Sequence, residues 1–343
     1  MANNIDAHVK YTAKDFTSNQ DVRWCPGCGD YSILAQVQRS FPEIGKKKEE
    51  IVFVSGIGCS SRFPYYMDTY GFHSIHGRAA AIASGLKIAR PELSVWVATG
   101  DGDLMSIGGN HFIHTCRKNI DLKILMFNNR IYGLTKGQYS PTSEKGKVTK
   151  STPFGSVDYP FNPLSLALGA EASFVARTID RDPKHLQEMV KRAAEHKGTA
   201  FIEIYQNCNI FNDGAFSILT EKETKADNVL TLEHGKPMVY GKENDKGIKL
   251  DGFTPVIIDL KDGKNSINDC LVHDEKDPDA IRAFILAHMT DHKGMPTPIG
   301  VVRQIFKETY DEGVERQIKH ITEKKGEGTI ENLLFTENTW EVN

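Results

Sequence analysis

Short apolar runs rich in β-branched and aromatic residues recur through the first two-thirds of the chain: Ile51–Val54, Ser94–Gly100, Leu122–Asn129, Ala172–Arg177 and Ala200–Gln206. Their length and composition predict buried strands. Between them lie patterns of helical period. One covers Tyr31–Phe41, a small-residue one starts at about Arg78, and others cover Ile107–Arg117, Pro163–Leu168 and Pro183–His196. Strands that alternate with helices predict a doubly wound, mostly parallel α/β sheet. The polar residues 1–20 read as an extended arm. Residues 131–162 are rich in Gly, Pro, Ser and Thr and have no period, and a loop of that length is usually functional or disordered. From about Leu219 the character changes. Charged stretches surround two strand-like runs, KPMVYG and TPVIIDL, and helical patterns follow at Pro278–Met289 and from Pro298 to about His320. The chain thus divides into a sheet domain, residues 1–218, and a C-terminal α/β appendage, 219–343.

Composition narrows the function. With 39% hydrophobic and 25% charged residues the 343-residue chain is of globular type. A net charge of −3 provides no basic excess for nucleic acid. No apolar run is long enough for a membrane helix, and the N-terminus lacks the layout of a signal peptide. A cytoplasmic location is the expectation. Six cysteines with a single CxxC do not form a secreted disulfide framework and point instead to metal, cluster or redox work.

The stretch Gly100–Asn129 carries the strongest chemical signal. GDGD follows one strand and a double Asn ends the next, where ligands bind in open α/β sheets. Asp101 offers a carboxylate oxygen, Asn129 an amide oxygen and Ile131 a carbonyl, a donor set suited to Mg²⁺ that also binds a diphosphate. Gly100 and Gly102 allow close backbone approach, and the following helix adds N–H groups and a positive dipole. A polar turn is the plainer reading of GDGD alone. Cys25, Cys28, Cys59 and Cys208 each lie in a loop or at a strand end and together supply the four thiolates of a [4Fe–4S] cluster. A Cys₄ zinc site is the rival, although only one ligand pair is close in sequence. Cys116 falls inside a helical pattern and reads as packing, and Cys270 has no partner pattern.

GDG through NN resembles the thiamine diphosphate (ThDP) signature. With the cysteine set, WCPGCGDYSIL, GIGCSSRF, HGRAAAIASGLK, GDGDLMSIGG and MFNNRIYGLTKGQYSPTS resemble the β subunits of 2-oxoacid:ferredoxin oxidoreductases, most of all the 2-oxoglutarate branch. The matching segments run from Arg23 to about Asp213. The resemblance implies a ThDP-binding (diphosphate domain) fold, with Asp101, Asn129 and the Ile131 carbonyl holding Mg²⁺. It implies cofactor contacts from Gly58, Cys59, Ser60, His76, Gly77, Gly100, Asp101, Gly102, Asp103, Asn129, Ile131, Gly133, Leu134 and Thr135. His76 is also a candidate catalytic residue near the diphosphate or thiazolium, with a hydrogen-bonded turn residue as its alternative reading. Also implied is a separate α subunit, as αβ or α2β2, that carries the pyrimidine-binding domain and the activating glutamate. The expected reaction is CoA-linked oxidative decarboxylation of 2-oxoglutarate to succinyl-CoA, or its reverse, with electrons passing through the [4Fe–4S] cluster to ferredoxin. Pyruvate, a broader 2-oxoacid range and a non-catalytic electron-relay subunit are the alternatives. Arg62 is a candidate to grip the second carboxylate of a dicarboxylic substrate, with surface placement or cluster tuning as its other readings, and Lys136 is a second candidate.

Overall fold

The computed structural model describes residues 10–335, 340 and 342. Among these residues eleven strands form: β1 Ile51–Ser55, β2 Tyr70–His73, β3 Ser94–Gly100, β4 Lys123–Asn128, β5 Phe174–Ile179, β6 Ala200–Tyr205, β7 Val229–Thr231, β8 Val239–Tyr240, β9 Lys246–Asp251, β10 Thr254–Asp259 and β11 Thr297–Gln304. Eight form one sheet in the order β2-β1-β3-β4-β6-β5-β11-β7. β1 to β6 run parallel, whereas β11 is antiparallel to β5. A second sheet, β10-β9-β8, is antiparallel.

The five central parallel strands are apolar on both faces because both faces are covered. Val95 and Val97 of β3, with Ile124 and Met126 of β4, belong to one core. Their neighbours Trp96, Ala98, Leu125 and Phe127 belong to the other, as the two-residue side-chain period of a strand requires. Helices α1 (Asp30–Ser40) and, further along, Pro183–Glu195 supply Ile33, Val37, Leu186 and Val190 to the second core. The helix Ala79–Ala89 supplies Ala79 and Ala83 to the first, and Gly109–Lys118 supplies Phe112 and Cys116. Helices on both faces of a mostly parallel sheet make the fold doubly wound, as expected, and Cys116 is packing, as expected.

Three expectations change. The run from Pro298 is a buried strand, β11, and the helix begins only at Tyr310 and ends at Lys325. Residues 229–231 and 297–304 of the C-terminal region thus join the main sheet, which does not stop at residue 218. Of the predicted N-terminal arm, residues 1–9 lie outside the described residues. The rest folds into a 3-10 turn, Ala13–Phe16, whose Phe16 is fully buried against Phe41. Burial of one phenylalanine, worth about 1.5–3 kcal/mol, fixes that segment. Finally, the helix after β3 is split. A five-residue helix, Asp101–Met105, precedes Gly109–Lys118, so the longer helix and its dipole start away from GDGD.

Candidate functional site

The strand order reverses between β1 and β3, since β2 lies outside β1 on one side and β4 follows β3 on the other. Loops at the carboxyl ends of strands diverge at such a point and leave a crevice. A cavity of about 650 Å³ opens there. The loop after β1 contributes Gly58, Cys59 and Ser60 to its wall. The β3 end contributes Gly100, Asp101, Gly102 and Asp103, and the β4 end contributes Asn129, Ile131, Gly133, Leu134 and Thr135. His76, from the turn after β2, completes the set. Thirteen of the fourteen expected cofactor contacts therefore share one wall, although they come from four loops.

Gly77 is the exception. Its N–H donates to Asp103 Oδ1 at 2.8 Å, and Thr99 Oγ1 donates to Asp103 Oδ2 at 3.1 Å. Asp103 thereby ties the turn after β2 to β3. Asp101 is 2% exposed, and burial pushes its carboxyl up to about 6, against the pull of hydrogen bonds from Ser140 and Thr142. Asn129 Oδ1 accepts the Ile131 N–H at 3.1 Å, an Asx turn that aims the Ile131 segment back at the cavity. Among the described residues, no three His, Cys, Asp or Glu side chains converge on a point to hold an ion. The expected Mg²⁺ donors lie outside such a set, because only Asp101 among the three is ionisable and diphosphate supplies further oxygens.

Arg62 and Lys136 do not line the cavity. Arg62 is half-buried at the end of a 3-10 turn, Ser60–Arg62, and its charge acts on Cys59. Lys136 is exposed and has a positive φ of 74°.

Two of the expected cluster cysteines flank this cavity, Cys59 in its wall and Cys208 beside Gly133, although no three of the four converge on one point among the described residues. A β-carbon placed on Gly133 would lie 3.5 Å from Cys59 Sγ and 3.6 Å from Cys208 Sγ, so both sulfurs flank a residue of the cavity wall. Trp24 Nε1 donates to the Cys59 carbonyl at 2.7 Å, and Gln206 Nε2 donates to Cys28 Sγ at 3.3 Å. The Gly29 N–H donates to the Asn207 carbonyl at 3.1 Å, which ties the CxxC loop to the loop after β6. Behind larger causes, Cys208 and Cys59 also raise the Cys28 thiol, and Cys208 and Cys25 raise that of Cys59. Burial, followed by the Asp30 carboxylate, raises both thiols, Cys59 to about 12. Thiolates here therefore need cationic iron or zinc beside them.

Sequence reasoning missed four contributors. Ser140 and Thr142 both donate to Asp101 Oδ2. Tyr132 lines the cavity and its hydroxyl donates to the Gly102 carbonyl at 3.2 Å. Asp30 lines it too, is 1% exposed, and is raised to about 7 by burial. The hydroxyl-rich YSPTS was the available signal, but no spacing rule links it to a carboxylate about forty residues earlier. A larger cavity, of about 960 Å³, includes Asn128, Arg177 and Glu203 but none of the expected residues. Chemistry rather than size picks out the smaller one.

A carboxylate–amide pair at a switch point, above a glycine-lined wall, defines a ThDP enzyme of the diphosphate-binding type. Residues 56–204 match the family model for the thiamine pyrophosphate enzyme C-terminal TPP binding domain. The chain is 54% identical over 331 residues to 2-oxoglutarate oxidoreductase subunit KorB of Mycobacterium tuberculosis, covering 96% of this chain and 88% of the relative. It is 38% identical over 290 residues to 2-oxoacid:ferredoxin oxidoreductase 1 subunit beta of Aeropyrum pernix, covering 84% and 80%. A solved structure, the 2-oxoglutarate:ferredoxin oxidoreductase from Magnetococcus marinus with 2-oxoglutarate, coenzyme A and succinyl-CoA bound, matches with a TM-score of 0.75 at 34% identity, covering 96% of each chain. The chain belongs to the family of 2-oxoacid:ferredoxin oxidoreductase β subunits, in its 2-oxoglutarate (KorB) branch.

Proposed function

We propose that this chain is the cofactor-binding subunit of a 2-oxoglutarate:ferredoxin oxidoreductase, which converts 2-oxoglutarate and coenzyme A to succinyl-CoA and CO₂ or runs the reverse carboxylation. The observation that carries this reading is the meeting of Asp101, Asn129 and Cys59 in one cavity at the switch point. Thiamine diphosphate, when bound, supplies the electron sink that decarboxylation of a 2-oxoacid requires. Asp101, Asn129 and the Ile131 carbonyl would hold Mg²⁺. The backbone at Gly100 and Gly102 would face the diphosphate, and Ile107, Phe127 and Leu134 would keep water from the rest of the cofactor.

Cys25, Cys28, Cys59 and Cys208 would hold a [4Fe–4S] cluster, which when bound carries single electrons toward ferredoxin. Cys59 lies in the cavity wall, which would keep cluster and cofactor close. The family model covers only the diphosphate-type domain, so the pyrimidine side and its glutamate would come from an α subunit in an αβ or α2β2 assembly. Six free cysteines are in keeping with the reducing cytoplasm. The test is steady-state kinetics of the assembled complex on a panel of 2-oxoacids. The highest kcat/KM is expected for 2-oxoglutarate, and a higher value for pyruvate would overturn the substrate assignment.

A further inference from the structure

One oxygen of Asp101 is doubly held. Ser140 Oγ donates to Oδ2 at 2.5 Å, and Thr142 Oγ1 donates to the same atom at 2.5 Å. Both donors are buried, at 2% and 5% exposure. A carboxylate oxygen has about two lone-pair sites, so Oδ2 has none left for a cation. Only Oδ1 is free. Mg²⁺ demands near-octahedral geometry and takes few carboxylates, and a single presented oxygen suits it better than a two-oxygen bite.

The donors are themselves fixed. The Ser140 N–H donates to Ser143 Oγ at 2.8 Å, and Ser143 Oγ donates to the Arg130 carbonyl at 2.6 Å, just past β4. Thr142 Oγ1 also lies 2.9 Å from Asn128 Oδ1. A threonine hydroxyl has one proton, and the charged carboxylate is the stronger acceptor. The Asn128 amide is turned the other way, donating to Glu203 Oε1 at 2.7 Å, while its Oδ1 accepts the Arg130 N–H at 3.2 Å. The loop that carries the two hydroxyls is thus tied to the end of β4, the strand that delivers Asn129.

We propose that Ser140 and Thr142 are positioning residues for the divalent cation, locking Asp101 so that it presents Oδ1 alone; this rests on the reading of the cavity as a ThDP–Mg²⁺ site. The test is Mn²⁺ binding to the assembled complex, with and without ThDP, followed by the loss of the free-ion electron paramagnetic resonance signal. Thr142→Val and Ser140→Ala should each raise the Mn²⁺ dissociation constant in the presence of ThDP about tenfold, the range for groups that orient a metal ligand. Thr142→Ser, which keeps the hydroxyl, should stay within about twofold. Activity of the two damaging variants should recover as cation is raised, which a general loss of structure would not allow. Should Thr142→Val fail to fold, Ser140→Ala carries the test alone, since it removes one buried oxygen. Unchanged Mn²⁺ affinity in the folded variants, or a Thr142→Ser as weak as Thr142→Val, overturns the proposal while ThDP binding stands. A wild-type complex without ThDP-dependent Mn²⁺ uptake overturns the cofactor reading itself, and the proposal with it.

Discussion

Glu203→Gln should cost far more than its small change in shape suggests. Arg177 and Glu203 face each other across β5 and β6, each with a side chain only 1% exposed. Arg177 Nε donates to Glu203 Oε2 at 2.7 Å, and the Asn128 amide donates to Oε1 at 2.7 Å. Arg177 Nη1 is buried without a partner among the described residues. Glu203 is the carboxylate hydrogen-bonded to Arg177, and this facing charge holds Arg177 firmly protonated against the effect of burial. Removing that charge leaves a buried cation unpaired, at about 3–5 kcal/mol. A well-packed apolar pair in the same space is often neutral or better, so Arg177→Met with Glu203→Leu should recover most of the loss. Urea unfolding followed by fluorescence is suited to the measurement, because Trp24 and Trp96 are both in the core. A loss below about 1 kcal/mol, the scale of one ordinary hydrogen bond, or a double variant no more stable than Glu203→Gln, would refute the reasoning.

Other perturbations reach the site and the sheet. Gly102→Ala would place a β-carbon 2.1 Å from the Tyr132 ring, which must move out of the cavity wall at about 1–3 kcal/mol; a ThDP titration should show weaker binding, and unchanged affinity would contradict the packing. Burial, with Lys123 nearby, holds His196 down to about 4 from an ordinary 6.5. The unfolded chain therefore takes up this proton first as pH falls. Stability is fully present above about pH 6.5 and about 3 kcal/mol of it is lost on the way down to pH 4. His196→Gln should flatten that part of the stability–pH curve, and an unchanged slope would exclude His196 as its source.

The central strands were legible because burial on both faces writes itself as unbroken apolar runs. β1, β3, β4 and β6 lie within about two residues of their predicted bounds. The same rule explains the failure at β11. TPIGVVRQ is buried almost throughout, and a short continuous apolar run does not distinguish strand from helix. Pro298 added a false helix-start cue, although Pro is equally at home near the start of a strand. The five-residue helix at Asp101 was hidden by Gly102, a poor helix former. Asp101, Asn129 and the four cysteines were visible because their chemistry is unusual at strand ends. Ser140, Thr142 and Tyr132 were not, because ordinary loop residues acquire a role only when the fold brings them against Asp101 and Gly102.

The most direct test is anaerobic electron paramagnetic resonance of the assembled complex. Addition of 2-oxoglutarate should produce a reduced [4Fe–4S] signal that requires ThDP and disappears in Asp101→Ala. A signal that appears without ThDP, or a protein that holds zinc rather than iron at Cys25, Cys28, Cys59 and Cys208, would contradict the account.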